Sequence, residues 1–224
     1  LLKEFNIPDG VNSIDTYAFK DCKNLTKITI PNSVTFIDDK AFYCCSSLVN
    51  ITIPDSVNSI GNMTFFGCAI KNINIPNSVT IIKRGAFWSC PSLTSINIPE
   101  SVTSIDSIVL NECNNLKCVI INNPDCEIFD TESTISETAT IYGYENSTAQ
   151  AYAERYCRRF VAIEDIGDIS GNGEIDLYDA IEISKAIMGL RTFTDEEMLI
   201  ADFNMDGTVD LYDAIEIART LLPK

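Results

Sequence analysis

Apolar side chains recur along the first half of the chain at a fixed interval. Five Ile-Pro steps, ending at Pro8, Pro31, Pro54, Pro76 and Pro99, lie 23, 23, 22 and 23 residues apart. Other apolar columns keep the same period. Val34, Val57, Val79 and Val102 form one, and Ile37, Ile60, Ile82 and Ile105 the next. Phe19, Phe42, Phe65 and Phe87 follow, then Leu25, Leu48, Leu93 and Leu116, then Ile28, Ile51, Ile73 and Ile96. A fixed period of this size predicts a solenoid whose units bury their apolar edges by stacking on one another. One repeat is a residue short, between Cys68 and Ile70.

Within each unit a short alternation stands out: Ile28-Thr29-Ile30, Ile51-Thr52-Ile53, Ile73-Asn74-Ile75 and Ile96-Asn97-Ile98. Period two with β-branched residues predicts a strand with its apolar face inward, one per repeat, stacked as a parallel sheet along one side. The proline that follows ends each strand, because it cannot donate to the ladder. Between positions 139 and 163 the pattern changes to a cap. A helix starting at Ser147 or Thr148 and a last strand at 160–163 would cover the exposed end of the core.

After about position 163 the period changes again. The heptapeptide Leu-Tyr-Asp-Ala-Ile-Glu-Ile occurs at 177–183 and at 211–217. Its spacing predicts helices over 177–188, closed by Gly189, and over 211–222, ended by Pro223. Thr194 and Glu197 form a capping box for a short helix between them. Ala180, Ile183 and Ile187, with Ala214, Ile217 and Leu221, make one apolar stripe for a small core. A second stripe carries Leu177, Ile181 and Met188, with Leu211, Ile215 and Leu222 as its counterpart. A surface helix needs one stripe, so the second is a candidate partner face.

An oxygen-rich loop leads into each heptapeptide and ends on its third residue. Asp168, Ser170, Asn172, Asp176 and Asp179 occupy positions 1, 3, 5, 9 and 12 of the first loop; Asp202, Asn204, Asp206, Asp210 and Asp213 occupy those of the second. Gly173 and Gly207 stand at position 6, and the backbone carbonyls of Glu174 and Thr208 fall at position 7. This is the spacing of EF-hand calcium loops, which wrap six to eight oxygens around one hard cation. Two calcium ions are the expected cofactors. Position 12 is Asp in both loops, and no full helix fits before Asp168; both features argue against a calmodulin-like sensor.

Residues 164–224 resemble a type I dockerin, in which the duplicated loop-plus-helix with Asp at position 12 is the signature. The resemblance implies a cohesin partner on a scaffoldin. It also implies contact residues Leu177, Tyr178, Ile181, Ser184, Lys185 and Met188, with Leu211, Tyr212, Ile215, Ala218, Arg219 and Leu222 in the duplicate. Many dockerins carry Ser-Thr at loop positions 10 and 11 where this chain has Leu-Tyr twice, which implies a more hydrophobic interface. The near-identity of the two sets implies binding in two orientations related by a half-turn. Residues 1–163 resemble BspA-like leucine-rich repeats of bacterial surface proteins. The expected architecture is therefore α/β: a leucine-rich-repeat solenoid over 1–163 with a C-terminal cap, and a small all-α module over 164–224.

Charge supports that division. The chain of 224 residues carries a net charge of −16. From Glu164 onward there are 15 acids and 4 bases, against 17 and 12 before it. Non-specific nucleic-acid binding needs clustered Lys and Arg, so this balance argues against it. No apolar run reaches the length of a membrane span. The chain opens inside a repeat, which points to a mature or truncated fragment. Histidine is absent, removing the commonest general base. Asp38-Asp39 is a carboxylate pair, but it falls in a repeat turn with no partner across a cleft and is expected to be solvated surface.

Five of the nine cysteines, Cys22, Cys45, Cys68, Cys90 and Cys113, follow the repeat and are expected as buried thiols rather than disulfides. An extracellular protein so rich in thiols fits an anaerobic bacterium. Two surfaces of the repeats are candidates for a ligand. The outward strand positions carry Thr29, Thr52, Asn74 and Asn97, flanked by Lys27, Asn50, Asn72 and Ser95. A second column carries Tyr43, Phe66 and Trp88, able to stack on sugars or to pack on one another. The expected function is a secreted, non-catalytic cellulosome component acting in polysaccharide degradation, with the repeats binding a protein or glycan. A cell-surface adhesin with a calcium-stabilised tail is the alternative.

Overall fold

The computed structural model describes residues 2–204 and 208–222. The chain divides into two compact units, Leu1–Phe160 and Val161–Lys224.

The first unit is a parallel-stranded solenoid. Numbering strands in chain order, one side carries β1 (Glu4–Asn6), β3 (Lys27–Thr29), β5 (Asn50–Ile51), β7 (Asn72–Asn74), β9 (Ser95–Ile98), β11 (Cys118–Ile121) and β13 (Thr140–Gly143), followed at the boundary of the two units by β14 (Phe160–Ala162). A second side carries β2 (Ser13–Ile14), β4 (Phe36–Ile37), β6 (Ser59–Ile60), β8 (Ile81–Ile82), β10 (Ser104–Ile105) and β12 (Glu127–Ile128). Every register follows the repeat, as in Lys27 opposite Asn50, Ile37 opposite Ile60 and Asn72 opposite Ser95.

Two features differ from the single continuous sheet that the alternation predicts. The second side is itself a sheet of six short parallel strands. Two-residue strands are too short to display alternation, so only the Val and Ile columns mark them. The first side is split: β1-β3-β5 form one sheet and β7-β9-β11-β13-β14 another, with no ladder between β5 and β7. The break falls where the repeat is one residue short. Across the 22-residue step the six-stranded side keeps its pairing, with Ser59 opposite Ile81, while the other side does not.

Inside, each column becomes a stack. Phe19, Phe42, Phe65 and Phe87 lie ring over ring at 5.2, 5.4 and 5.4 Å, within 9° of parallel. Burying each ring contributes about 1.5–3 kcal/mol. Four cysteines of the repeat column, Cys45, Cys68, Cys90 and Cys113, are buried free thiols as expected, whereas Cys22, in the first repeat with less of the stack to cover it, is only half-buried. The thiols of Cys45, Cys68, Cys90 and Cys113 donate to the carbonyls of Phe19, Phe42, Phe65 and Phe87, one repeat back, at 3.0–3.2 Å. Burial pushes Cys126 up to about 12 and holds Cys68 well above the usual thiol range. The serine of each Pro-x-Ser-Val turn donates to the valine carbonyl of the neighbouring repeat, as Ser33 does to Val11 and Ser101 to Val79, both at 2.8 Å.

At the end of the stack, α1 (Thr148–Arg155) is N-capped by Ser147 and buries Ala149, Tyr152 and Ala153. The Tyr152 hydroxyl donates to the Thr131 carbonyl at 2.8 Å and accepts from the Ile135 N–H at 3.2 Å. The expected cap is thus present.

The second unit contains α2 (Leu177–Ile187), α3 (Asp195–Ala201) and α4 (Leu211–Thr220). Its core is Ile169, Ala180, Ile183, Ala201, Ala214 and Ile217, with Ile175, Phe193, Ile200, Phe203 and Val209 packed against it. Ile187 and Leu221, expected in this core, are each 43% exposed instead. Their places are taken by apolar residues of the loops. Positions 2 (Ile169, Phe203) and 8 (Ile175, Val209) of both oxygen-rich loops turn inward.

Candidate functional site: a duplicated loop-helix module

Gly189 closes α2 with φ of +72°. Its N–H donates to the Ala186 carbonyl at 2.9 Å, and the Leu190 N–H to that of Lys185 at 2.8 Å. This pair satisfies two carbonyls that a helix end leaves open. The Thr194–Glu197 capping box starts α3 as expected. Pro223 lies outside the described residues.

The helix starts carry the chemistry. Asp176 is the N-cap of α2 and accepts from the Tyr178 N–H at 2.6 Å. Asp179, three residues on, accepts from the Asp176 N–H at 2.8 Å and from the Ser170 N–H at 3.0 Å. The second loop repeats this. Asp210 accepts from Tyr212 at 2.7 Å, and Asp213 from Asp210 at 2.8 Å and Asn204 at 3.1 Å. Loop positions 9 and 12 are therefore also the two halves of a capping box. The Asp-x-x-Asp spacing across the start of each heptapeptide was the available signal for it.

At the other end of loop one, Asp168 accepts from the N–H groups of Gly173 (2.7 Å) and Asn172 (3.1 Å) and from the Ser170 hydroxyl (3.1 Å). Burial works against its charge, but these donors outweigh it and hold the carboxyl below its usual range. Asn172 accepts from the Glu174 N–H at 2.8 Å. Gly173 has φ of +85°, which a side chain rarely adopts. These bonds draw Asp168, Ser170, Asn172, Asp176 and Asp179 into one closed loop. Every side-chain donor in it is a hard oxygen, the set that calcium takes. Among the described residues no group of three or more acidic or cysteine side chains forms a metal cage, since these carboxylates turn to backbone N–H groups. In loop two Asp202 is buried, Asn204 and Thr208 are exposed, and Asp206 lies outside the described residues.

The outer faces of α2 and α4 are near copies. Leu177 and Leu211 are 59% and 57% exposed, Tyr178 and Tyr212 62% and 67%, and Met188 and Leu222 are equally open. Ile181 is exposed, whereas Ile215 is half-buried. Ser184 and Ala218 are also half-buried, and the Ser184 hydroxyl donates back to the Ala180 carbonyl at 2.8 Å. Lys185 pairs with Glu182 at 2.6 Å and lies over the Tyr178 ring; Arg219 pairs with Glu216 at 3.0 Å.

One network has no counterpart in the sequence motifs. Arg191 bridges Glu182 and Glu197 and lies 5.0 Å from the Phe193 ring. Lys185 and Arg191 hold the Glu182 carboxyl below its usual range, and the Thr194 N–H does the same for Glu197.

On the solenoid, Tyr43, Phe66 and Trp88 are half-buried and packed together. Tyr43 stacks on Phe66 at 4.6 Å, and Trp88 meets Phe66 edge-on at 4.9 Å. Asp38 and Asp39 are not the solvated surface expected of them. Asp38 accepts from the Thr16 hydroxyl at 2.6 Å, which keeps it below its usual range. Asp39 accepts from the N–H and side-chain amide of Asn62 at 2.7 and 2.9 Å. Both tie neighbouring repeats together.

A parallel-stranded repeat solenoid joined to a duplicated acidic loop-helix unit defines a two-module interaction protein. The comparisons agree. The BspA type leucine-rich repeat region matches in six copies, over residues 1–117 and 35–138, and the chain belongs to that family. A dockerin type I domain matches residues 166–222. Among solved structures, a leucine-rich repeat protein from Bacteroides ovatus ATCC 8483 is 24% identical with a TM-score of 0.52, covering 71% of this chain and 51% of its own. The T. pallidum leucine-rich repeat protein is also 24% identical, with a TM-score of 0.54, covering 71% and 86%. A leucine rich cell surface protein from Faecalibacterium prausnitzii A2-165 is 31% identical with a TM-score of 0.48, covering 59% and 33%. The chain thus spans a third of the last of these and about half of the first. A search of curated proteins found no match. Among the described residues no helix is long and apolar enough to cross a membrane.

Proposed function

We propose that this chain is a non-catalytic, secreted component of a cellulosome. Its dockerin module binds a cohesin on a scaffoldin, and its repeats bind a protein or glycan. The observation that carries the reading is the pair of exposed, matching Leu-Tyr faces at the starts of α2 and α4, set at the ends of two acidic loops. Side chains that large and apolar, left open on both helices, are what a partner interface needs. Asp168, Ser170, Asn172, Asp176 and Asp179, with the Glu174 carbonyl, would hold one calcium ion. Asp202, Asn204, Asp206, Asp210 and Asp213, with the Thr208 carbonyl, would hold a second. Bound calcium would neutralise the clustered carboxylates and fix the start of each helix. Cohesin contacts would fall on Leu177, Tyr178, Ile181, Ser184, Lys185 and Met188 and on their duplicates Leu211, Tyr212, Ile215, Ala218, Arg219 and Leu222.

Titration calorimetry of the chain against a panel of cohesins, with calcium and then with a chelator, tests this. The expected result is tight binding that the chelator abolishes. Calcium-induced ordering with no cohesin bound would shift the reading to a surface adhesin with a calcium-stabilised tail.

A further inference from the structure

The short repeat leaves more than a gap in a ladder. Over β3 and β5, reaching Asn72 across the break, the sheet face forms a recess of about 430 Å³. Lys27, Thr29, Asn50, Thr52 and Asn72 line it over a floor of Ile28 and Ile51. The floor isoleucines are buried and the lining side chains exposed, so the accessible surface is polar.

Two rows of side chains cross this recess. One runs Lys27, Asn50, Asn72, Ser95 and the other Thr29, Thr52, Asn74, Asn97, with Lys27 in register with Asn50 and Asn72 with Ser95. Their hydrogen-bonding capacity is unevenly used. Farther along, Asn97 accepts from Asn122 at 2.6 Å, and at the rim of the recess Asn72 accepts from Thr94 at 3.3 Å. Within the recess, the side chains of Lys27, Thr29, Asn50 and Thr52 have no hydrogen-bond or ion-pair partner among the described residues. Glu4 stands beside Lys27 on β1 without forming an ion pair with it.

We infer that this recess is the ligand site of the repeats and that its ligand is a neutral, linear polysaccharide lying across the strands. The inference rests on the reading that the repeats bind a protein or glycan, and it chooses between the two. Three observations make the choice. Amides and hydroxyls both donate and accept, which matches sugar hydroxyls, and here they stand in rows. The rows recur at the strand spacing of ~4.8 Å, close to the length of one pyranose along a chain. A protein hot spot would need an aromatic or arginine anchor, and the lining has neither. A polyanion is disfavoured by the acidic balance of the solenoid, 17 acids to 12 bases, and by there being one ammonium group in the recess lining.

The test uses the whole chain and backbone-amide NMR, titrated with cello- and xylo-oligosaccharides and, for contrast, with oligogalacturonate. The expected result is shift changes at 27–29, 50–52 and 72–74 with a neutral oligosaccharide. Asn50→Ala with Thr52→Ala should weaken it about tenfold, as the loss of two hydrogen bonds would. Both positions are exposed, so the fold should survive. Thr80→Ala, an exposed change outside the recess, should leave affinity unaltered. Inserting one glycine after Cys68 should restore the 23-residue step, close the recess and abolish binding. Shift changes around Tyr43, Phe66 and Trp88 instead would overturn the site while leaving glycan binding in place. Preference for oligogalacturonate would overturn the neutral class. No response to any oligosaccharide, with capture of a protein ligand by the intact repeats, would overturn the inference and leave the broader reading standing.

Discussion

Each repeat places residues at the same two points in the left-handed backbone region. One column is Tyr17, Lys40, Met63, Gly85 and Ile108; the other is Asp21, Cys44, Gly67, Ser89 and Glu112, with φ between +50° and +68° throughout. Glycine fills only one place in each column, so composition gave no sign of them, and they became visible only as backbone geometry. Gly67→Ala should cost about 1 kcal/mol, through backbone conformation alone, because its Cβ would meet only Cys44 at an ordinary 3.7 Å. Gly61 differs. A Cβ there would sit 2.6 Å from the backbone of Asp38 and Asp39, so Gly61→Ala should cost roughly 3 kcal/mol in a denaturant titration. The thiols give a second check at this scale. Under native conditions a thiol reagent should modify exposed Cys157 first and should reach Cys68 and Cys126 only after unfolding.

Elements were legible in the sequence wherever a pattern had room to repeat. The Ile-Thr-Ile strands, the cap helix with Ser147 at its start, and all three helices of the second unit stand where periodicity and caps put them. The second sheet did not announce itself, because two residues cannot alternate. Ile187 and Leu221 were misplaced because helical spacing takes no account of loop residues, and Ile169, Ile175, Phe203 and Val209 fill the core in their stead. The Arg191 network joins residues far apart in any local motif. Its consequence is a pH dependence. Glu182 and Glu197 titrate below their usual value in the folded module, so their contribution is full above about pH 4.3 and is lost as pH falls through the lowered value. Glu182→Gln should therefore flatten the acid limb of a melting-temperature profile. Asp176→Ala removes an N-cap and should cost about 1 kcal/mol in the same measurement.

For the whole molecule, the two units should answer calcium differently. In the second, the same loops supply both the candidate ligands and part of the core, and its charge is −11 of the total −16. Chelation should lower or remove a melting transition belonging to this unit and leave that of the solenoid unchanged, as calorimetry would show. Of the two loops, the second places four carboxylates at side-chain ligand positions against three in the first, where Glu174 offers its carbonyl, and should bind the ion more tightly. Matching faces carry a prediction of their own. Leu177→Ala with Tyr178→Ala should reduce cohesin affinity only a few fold, because the α4 face remains, while the same changes in both helices should abolish it. Abolition by either pair alone would overturn the two-orientation reading.

The break between β5 and β7 also makes the solenoid mechanically uneven. One wall is unstitched there while the opposite wall and the phenylalanine stack run on through it, so the structure is built like a book that opens at a single page. Bending should concentrate at that spine. Pulled from its ends, the solenoid should yield first at this joint, in a step that restoring the missing residue would remove.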